Sequence, residues 1–237
     1  MKASQKVIVA LDTHSLDDAL RMVDLLGDDA GFFKVGLELF TAAGPQVVER
    51  LTERKKRVFL DLKLHDIPNT VGRAARVISD LGVDLVTVHA SGGAEMITAA
   101  KEGLGGRGRL LAVTVLTSMA AADLGGLWGR SVESVPEEVL RIAELARGAG
   151  ADGVVSAAAE AARVRARVGE GFLIVVPGIR PEGSDRLDQK RVATPSHAVR
   201  SGADYLVIGR PVTQAPDPAG ALRAVIAEVR GPTARAS

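Results

Sequence analysis

Eight short β-branched runs alternate with helical patterns from one end of the chain to the other, and this alternation limits the possible folds more than any other feature. The runs fall at 6–11, 32–36, 57–63, 85–89, 110–116, 153–156, 172–176 and 205–209. Helical patterns fall at 16–26, 45–55, 70–81, 94–103, 137–148, 158–168, 196–201 and 218–229. In the first, Leu16, Ala19, Leu20 and Val23 form a stripe at helical spacing, and Ser15 is placed to cap it. Gly82-Val83, Gly150-Ala151 and Gly202-Ala203 end helices just ahead of the next strand, where a left-handed glycine fits. Eight βα units of about 30 residues match an α/β chain closed into a single (β/α)8 TIM barrel better than an open doubly wound sheet. No linker or composition shift marks a second domain, so one barrel is expected over 1–230, with a disordered tail at 231–237.

Composition excludes several function classes. The 30 basic and 29 acidic residues leave a formal charge of +1, which gives no electrostatic footprint for nucleic acid or an anionic membrane. Aromatic residues make up 3% of the chain, too few for base-stacking platforms. With no cysteine, disulfides and thiolate metal sites are ruled out. The polar opening at 1–6 leads directly into a strand without a signal-like apolar segment, and no apolar run approaches the roughly 18 residues of a membrane span. A soluble, cytoplasmic protein is expected.

Charges appear where a buried strand should be aliphatic. In the run Asp61-Leu62-Lys63-Leu64-His65-Asp66-Ile67-Pro68-Asn69-Thr70, strand alternation puts Phe59, Asp61 and Lys63 on one face and Val58, Leu60 and Leu62 on the other. The aliphatic face packs outward, leaving a carboxylate and an ammonium inside the barrel, where unpaired charge is costly. Asp12 after strand one, Lys34 late in strand two and His89 at the end of strand four share this phase. All lie at the C-terminal ends of strands, the face on which such barrels build active sites. An internal salt-bridge network is the alternative, but buried ion pairs are a poor source of stability, which favours a chemical role. Asp12 and Asp66 also suit plain turns, and His89 suits a hydrogen-bonded core histidine with no catalytic part. Pro68 ends the strand, and Asn69 is placed to cap the helix that follows.

A second constellation follows strands seven and eight, where barrels frequently bind phosphate. It consists of Pro177-Gly178-Ile179-Arg180 and Gly209-Arg210-Pro211-Val212-Thr213. Glycine permits close backbone approach, proline starts a short helix, and Arg180 and Arg210 supply forked donors matched to phosphate oxygens. A phosphorylated small-molecule substrate is expected. Two connections are long: 118–136, read as a short rim helix through Leu124, Leu127 and Trp128, and 181–195, polar and glycine-containing, read as a lid.

Taken in order, Ile8-Val9-Ala10-Leu11-Asp12, Phe33-Lys34-Val35-Gly36, the run 61–70, Val115-Leu116-Thr117-Ser118, Pro177-Gly178-Ile179-Arg180-Pro181, Asp188-Gln189-Lys190-Arg191 and Ile208-Gly209-Arg210-Pro211 span nearly the whole chain. Together they resemble the orotidine 5′-phosphate decarboxylase family in its bacterial form. The resemblance implies conversion of orotidine 5′-phosphate to uridine 5′-phosphate in pyrimidine synthesis, with no metal or organic cofactor, by a homodimer with active sites at its interface. It makes Lys63 the proton donor, within a charge network completed by Lys34, Asp61 and an Asp66 contributed by the other subunit. It assigns Asp12, Lys34 and Thr70 to the ribose, the last across the interface, and Thr117 and Ser118 to the pyrimidine. Pro177 joins the substrate-binding set, and Arg180, Gln189, Gly209 and Arg210 serve the phosphate. Val176 stands where many relatives carry threonine, and 182–187 departs from the commonest family wording.

Two rival readings use the same residues. One is a magnesium-dependent decarboxylase or aldolase acting on a keto-sugar phosphate, which needs carboxylates free to hold a hard cation. The other is a non-catalytic nucleotide-binding barrel, for which the phosphate loops suffice and Lys63 is dispensable.

Overall fold

The computed structural model describes residues 2–181 and 193–231. Its strands are β1 (Val7–Leu11), β2 (Phe32–Gly36), β3 (Arg57–Leu64), β4 (Leu85–His89), β5 (Arg109–Val113), β6 (Gly153–Val155), β7 (Leu173–Val176) and β8 (Tyr205–Ile208). All neighbours pair in parallel, and β8 closes onto β1, so the sheet is a closed barrel in sequence order. The helices are α1 (Leu16–Leu26), α2 (Leu37–Ala43), α3 (Gln46–Glu53), α4 (Pro68–Asp80), α5 (Gly93–Leu104), α6 (Ala121–Trp128), α7 (Val135–Gly148), α8 (Ala158–Val168), α9 (Pro195–Arg200), α10 (Arg210–Thr213) and α11 (Pro218–Arg230). No helix of the described residues is long and apolar enough to cross a membrane.

Strand alternation divides the core in two. Val7, Val9, Leu11, Val58, Leu60, Val86 and Val88 face outward into the layer shared with the helices. Ile8, Ala10, Phe32, Phe59, Leu85, Leu111, Leu173 and Tyr205 fill the barrel interior. Each fully buried aliphatic or aromatic side chain contributes about 1.5–3 kcal/mol relative to exposure, so the interior is a packed plug rather than a pore. Polar residues in the inward phase, Asp12, Lys34 and Asp61, follow these plug residues at the C-terminal ends of their strands.

The end opposite the site carries a repeated clamp. Gly82, Gly150 and Gly202 have φ of 72°, 88° and 93°, the left-handed conformation that ends α4, α7 and α9. Two residues further on, Asp84, Asp152 and Asp204 each accept a backbone N–H from the neighbouring strand: Val58 at 3.1 Å, Leu110 at 2.7 Å and Ile174 at 2.8 Å. A basic side chain completes each clamp: Arg57 at 2.7 Å, Lys101 at 2.6 Å and Arg165 at 2.6 Å. One short motif, Gly-(Val/Ala)-Asp, therefore ends a helix and ties the next strand to its predecessor three times around the barrel.

Local departures from the sequence expectations have physical causes. Ser15 does cap α1, its hydroxyl accepting from the Asp18 N–H at 3.3 Å. Asn69 does not cap α4, because Pro68 already occupies its first turn and Ile67 is the N-cap. Proline at that position lacks only an N–H that a helix start leaves unpaired. The 45–55 pattern resolves into α3, and α2 is an additional helix stopped by Gly44 at φ 60°. Strand β5 ends at Val113 rather than 116: the Thr114 amide and hydroxyl both donate to the carbonyl of Val155, the last residue of β6, beyond which no ladder partner remains. The rim helix expected in 118–136 is α6, with Leu124 buried and Leu127 exposed.

Candidate active site

Strand β3 begins regularly and then breaks its alternation. It pairs Leu60 with Val86 and Leu64 with Val88, taking four residues where β4 takes two, so a bulge sits at 61–63. Within it, Lys63 has φ 50°, a left-handed conformation that costs a non-glycine residue roughly 1–2 kcal/mol. Regular alternation, as expected from the sequence, therefore stops before Lys63. Bulges of this kind re-aim side chains next to active sites.

Four charged groups form an alternating chain across the barrel mouth. The Lys34 ammonium donates to Asp12 Oδ1 at 3.0 Å and lies 3.9 Å from Asp61 Oδ2. Lys63 donates to the same Asp61 oxygen at 2.9 Å. The other Asp61 oxygen accepts from the Thr87 hydroxyl at 2.9 Å, and that hydroxyl accepts the Lys63 backbone N–H at 2.9 Å. Asp61 and Lys34 keep only 13% and 12% side-chain exposure, against 32% for Lys63 and 56% for Asp12. Asp61 and Lys34 are thus largely desolvated, while Lys63 reaches open space. A Cβ at Gly36 would lie 2.7 Å from the Lys34 Nζ, so a larger residue there would push the ammonium out of this position.

Beside Asp61 and Lys63 opens a cavity of ≈ 180 Å³, walled by Val113, Val115, Leu116, Thr117, Val155, Ser156 and Pro177. Lys63 faces a mostly apolar chamber with a few polar groups on its wall, the usual make-up of a small-molecule site. Thr117 and Pro177 line the same cavity as Asp61 and Lys63, whereas Ser118 is exposed and does not line it. His89 stacks at 5.5 Å from His65 and shares a 2.9 Å hydrogen bond with the Ser91 hydroxyl. Burial, reinforced by His65 and Lys63, holds its imidazole below the ordinary histidine range.

Arg180 is almost completely buried, and its backbone N–H donates to the Ala193 carbonyl at 2.9 Å. Residues 179 and 193 form a parallel bridge there, closing the base of the 181–195 connection. Gly209 precedes α10, which Pro211 opens together with Arg210, as the sequence suggests. Gly209 also abuts β1: a Cβ there would lie 3.5 Å from Asp12 Oδ2, so the phosphate-type loop adjoins the charge chain. Gln189, most of the expected lid and the tail 232–237 lie outside the described residues.

Asp66 and Thr70 stand apart from this cluster. Both are exposed, Asp66 accepts from the Ile67 N–H at 2.6 Å, and no ion pair among the described residues joins it to Lys63. Sequence reasoning overlooked Thr87, although a threonine in the inward phase of β4, between Leu85 and His89, was a readable signal. It also missed the space that Gly36 clears.

Comparison with known proteins agrees with this geometry. The model of the orotidine 5′-phosphate decarboxylase / HUMPS family matches residues 5–225. Orotidine 5′-phosphate decarboxylase of Moorella thermoacetica is 52% identical, with 97% of this chain and 94% of the relative covered. The same-named protein of Escherichia coli O139:H28 is 51% identical, with 94% and 92% covered. The crystal structure of orotidine 5′-phosphate decarboxylase from Lactobacillus acidophilus superposes with a TM-score of 0.85 at 40% identity, covering 95% of this chain and 99% of that one. With a barrel of this topology and a family match over nearly its whole length, the chain belongs to the orotidine 5′-phosphate decarboxylase / HUMPS family.

Proposed function

We propose that this protein decarboxylates orotidine 5′-phosphate to uridine 5′-phosphate and CO2 in pyrimidine nucleotide synthesis, using no metal or organic cofactor, as a cytoplasmic homodimer. A single barrel spanning 1–230 carries the activity. The observation that supports the reading most is the alternating chain Asp12, Lys34, Asp61, Lys63, which ends with an ammonium beside a largely apolar cavity.

Chemistry follows from that placement. The bond from the ring carbon to the carboxylate breaks, CO2 leaves, and the electron pair stays on a carbon with no acceptor group beside it. A fixed ammonium aimed at that carbon stabilises charge that develops only in the transition state. Lys63 then gives the carbon a proton, forming the C–H bond of the product, and regains one from solvent. Asp61 offsets the cost of holding two ammonium groups away from water. Lys34 links Asp61 to Asp12, and this pair is the ribose-binding edge.

Thr117 binds the pyrimidine from the cavity wall it shares with Pro177, the exposed Ser118 that follows it adds a contact from outside that wall, and Arg180, Gln189, Gly209 and Arg210 bind the phosphate. The phosphate is remote from the reacting carbon, so its binding energy contributes to rate by driving closure of the 181–195 connection. Asp66 and Thr70 serve the neighbouring subunit's site: they are exposed, and Ile67 between them is 65% exposed, which suits a partner surface.

The family description also includes HUMPS proteins, so a metal-dependent reaction on a sugar phosphate is the natural rival. Lys34 and Lys63 lie within 3.9 Å and 2.9 Å of the Asp61 carboxylate, where a hard cation would meet two positive charges. Incubating the purified protein with orotidine 5′-phosphate in excess chelator tests the reading. Uridine 5′-phosphate should accumulate. A folded protein that forms none overturns it, and turnover abolished by chelator alone favours the rival.

A further inference from the structure

The structure assigns Thr87 a positioning role: its hydroxyl holds the Lys63 backbone in the left-handed bulge and the Asp61 carboxylate in its facing orientation. This inference rests on the decarboxylase reading for its kinetic consequence, but not for its geometry.

The hydrogen-bond roles are forced. A backbone amide can only donate, so at 2.9 Å from the Lys63 nitrogen the Thr87 oxygen is the acceptor. An ionised carboxylate can only accept, so at 2.9 Å from Asp61 Oδ1 the same oxygen is the donor. The single hydroxyl proton is committed to Asp61, and a lone pair is committed to Lys63. Thr87 is fully buried, so no solvent molecule stands ready to replace it at the side chain.

Both partners need this support. Lys63 lies where β3 falls out of step with β4, so its N–H is met by a side chain rather than by a ladder carbonyl. Its φ of 50° is unfavourable for a side chain and persists only where the surroundings impose it. Asp61 shares its other oxygen with two ammonium groups, at 2.9 and 3.9 Å. The Thr87 hydroxyl fixes the rotation of the carboxylate and therefore which oxygen those lysines meet. One buried hydroxyl on β4 thus sets the backbone of the proton donor and the orientation of its counter-charge. Because it reaches the cavity only through Lys63 and Asp61, it aims the ammonium without touching substrate.

Three variants test this. Thr87→Val keeps the shape and removes the hydroxyl, Thr87→Ser keeps the hydroxyl, and Thr87→Ala serves if valine at this site does not fold. With orotidine 5′-phosphate as substrate, Thr87→Val or Thr87→Ala should lower kcat by about 10- to 100-fold while KM moves by less than about threefold. Thr87→Ser should recover most of kcat. A hydroxyl-free variant with kcat within about twofold of the parent, or a serine variant as impaired as the valine one, overturns the assignment. If the parent itself is inert toward this substrate, the functional reading fails separately. A crystal structure of Thr87→Val then decides the geometry alone: Lys63 should leave positive φ or move its ammonium off Asp61, and an unchanged bulge overturns the role of Thr87.

Discussion

Lys63 and Asp61 lie two residues apart on one strand, yet the ammonium of the first is 2.9 Å from a carboxylate oxygen of the second. The bulge at 61–63 ends the regular run of β3, and Lys63 enters it at positive φ. The contact therefore rests on backbone geometry as much as on charge, and backbone geometry is supplied by the neighbouring strand through Thr87. The two polar clusters lie at opposite ends of the barrel: aspartate clamps at the N-terminal end of the strands and the charge chain at the C-terminal end.

That separation predicts the outcome of opening a clamp. Asp152→Ala leaves the Leu110 N–H without its 2.7 Å acceptor and Lys101 without its counter-charge. It should lower unfolding free energy by about 1–3 kcal/mol in denaturant titrations. The kcat per folded molecule should stay at the parent value, since the clamp is at the far end of the strands from Lys63.

Phosphate recognition predicts a split between substrates. Arg210→Ala should raise KM for orotidine 5′-phosphate by about 10- to 100-fold, the range expected when a charge-assisted hydrogen bond is lost. Slow turnover of orotidine, which has no phosphate, should be equal in parent and variant. Steady-state kinetics on both compounds check this, and an equal loss on both would place Arg210 outside phosphate binding.

A pH dependence follows from His89, whose imidazole is held below the usual value of 6.5 by burial and then by His65 and Lys63. The unfolded chain takes up this proton at a higher pH than the folded one, so stability rises with pH across the interval between the two values. The contribution is intact above about pH 6.5 and is lost as pH falls from there through the folded-state value. Thermal unfolding at stepped pH should show Tm falling less steeply below about pH 6.5 for His89→Asn than for the parent. Parallel curves would remove His89 from the account.

Much of this was legible from the residues alone, for identifiable reasons. Alternating β-branched and helical runs reflect burial of each strand between plug and helices, so strand positions could be read closely. Asp12, Lys34 and Asp61 were readable as candidate site residues because charge in the inward phase of a buried strand costs stability, which favours a chemical role for it. The bulge at Lys63 was not readable, since no glycine or proline marks it and the hydroxyl that meets its N–H is on another strand. The clamp aspartates escaped notice because a single aspartate ahead of a strand looks like an ordinary turn residue, and its partner N–H is 26 to 42 residues away.

Lys63 as the group that drives decarboxylation is tested most directly by turnover of orotidine 5′-phosphate, measured side by side for the parent and Lys63→Ala in excess chelator. The parent should form uridine 5′-phosphate and CO2 in equal amounts. Lys63→Ala should keep the parent's circular dichroism spectrum and lose activity by at least about 10³-fold, the combined scale of a lost general acid and a lost electrostatic stabiliser. A parent that forms no product, or a folded Lys63→Ala variant within about tenfold of it, would contradict the account.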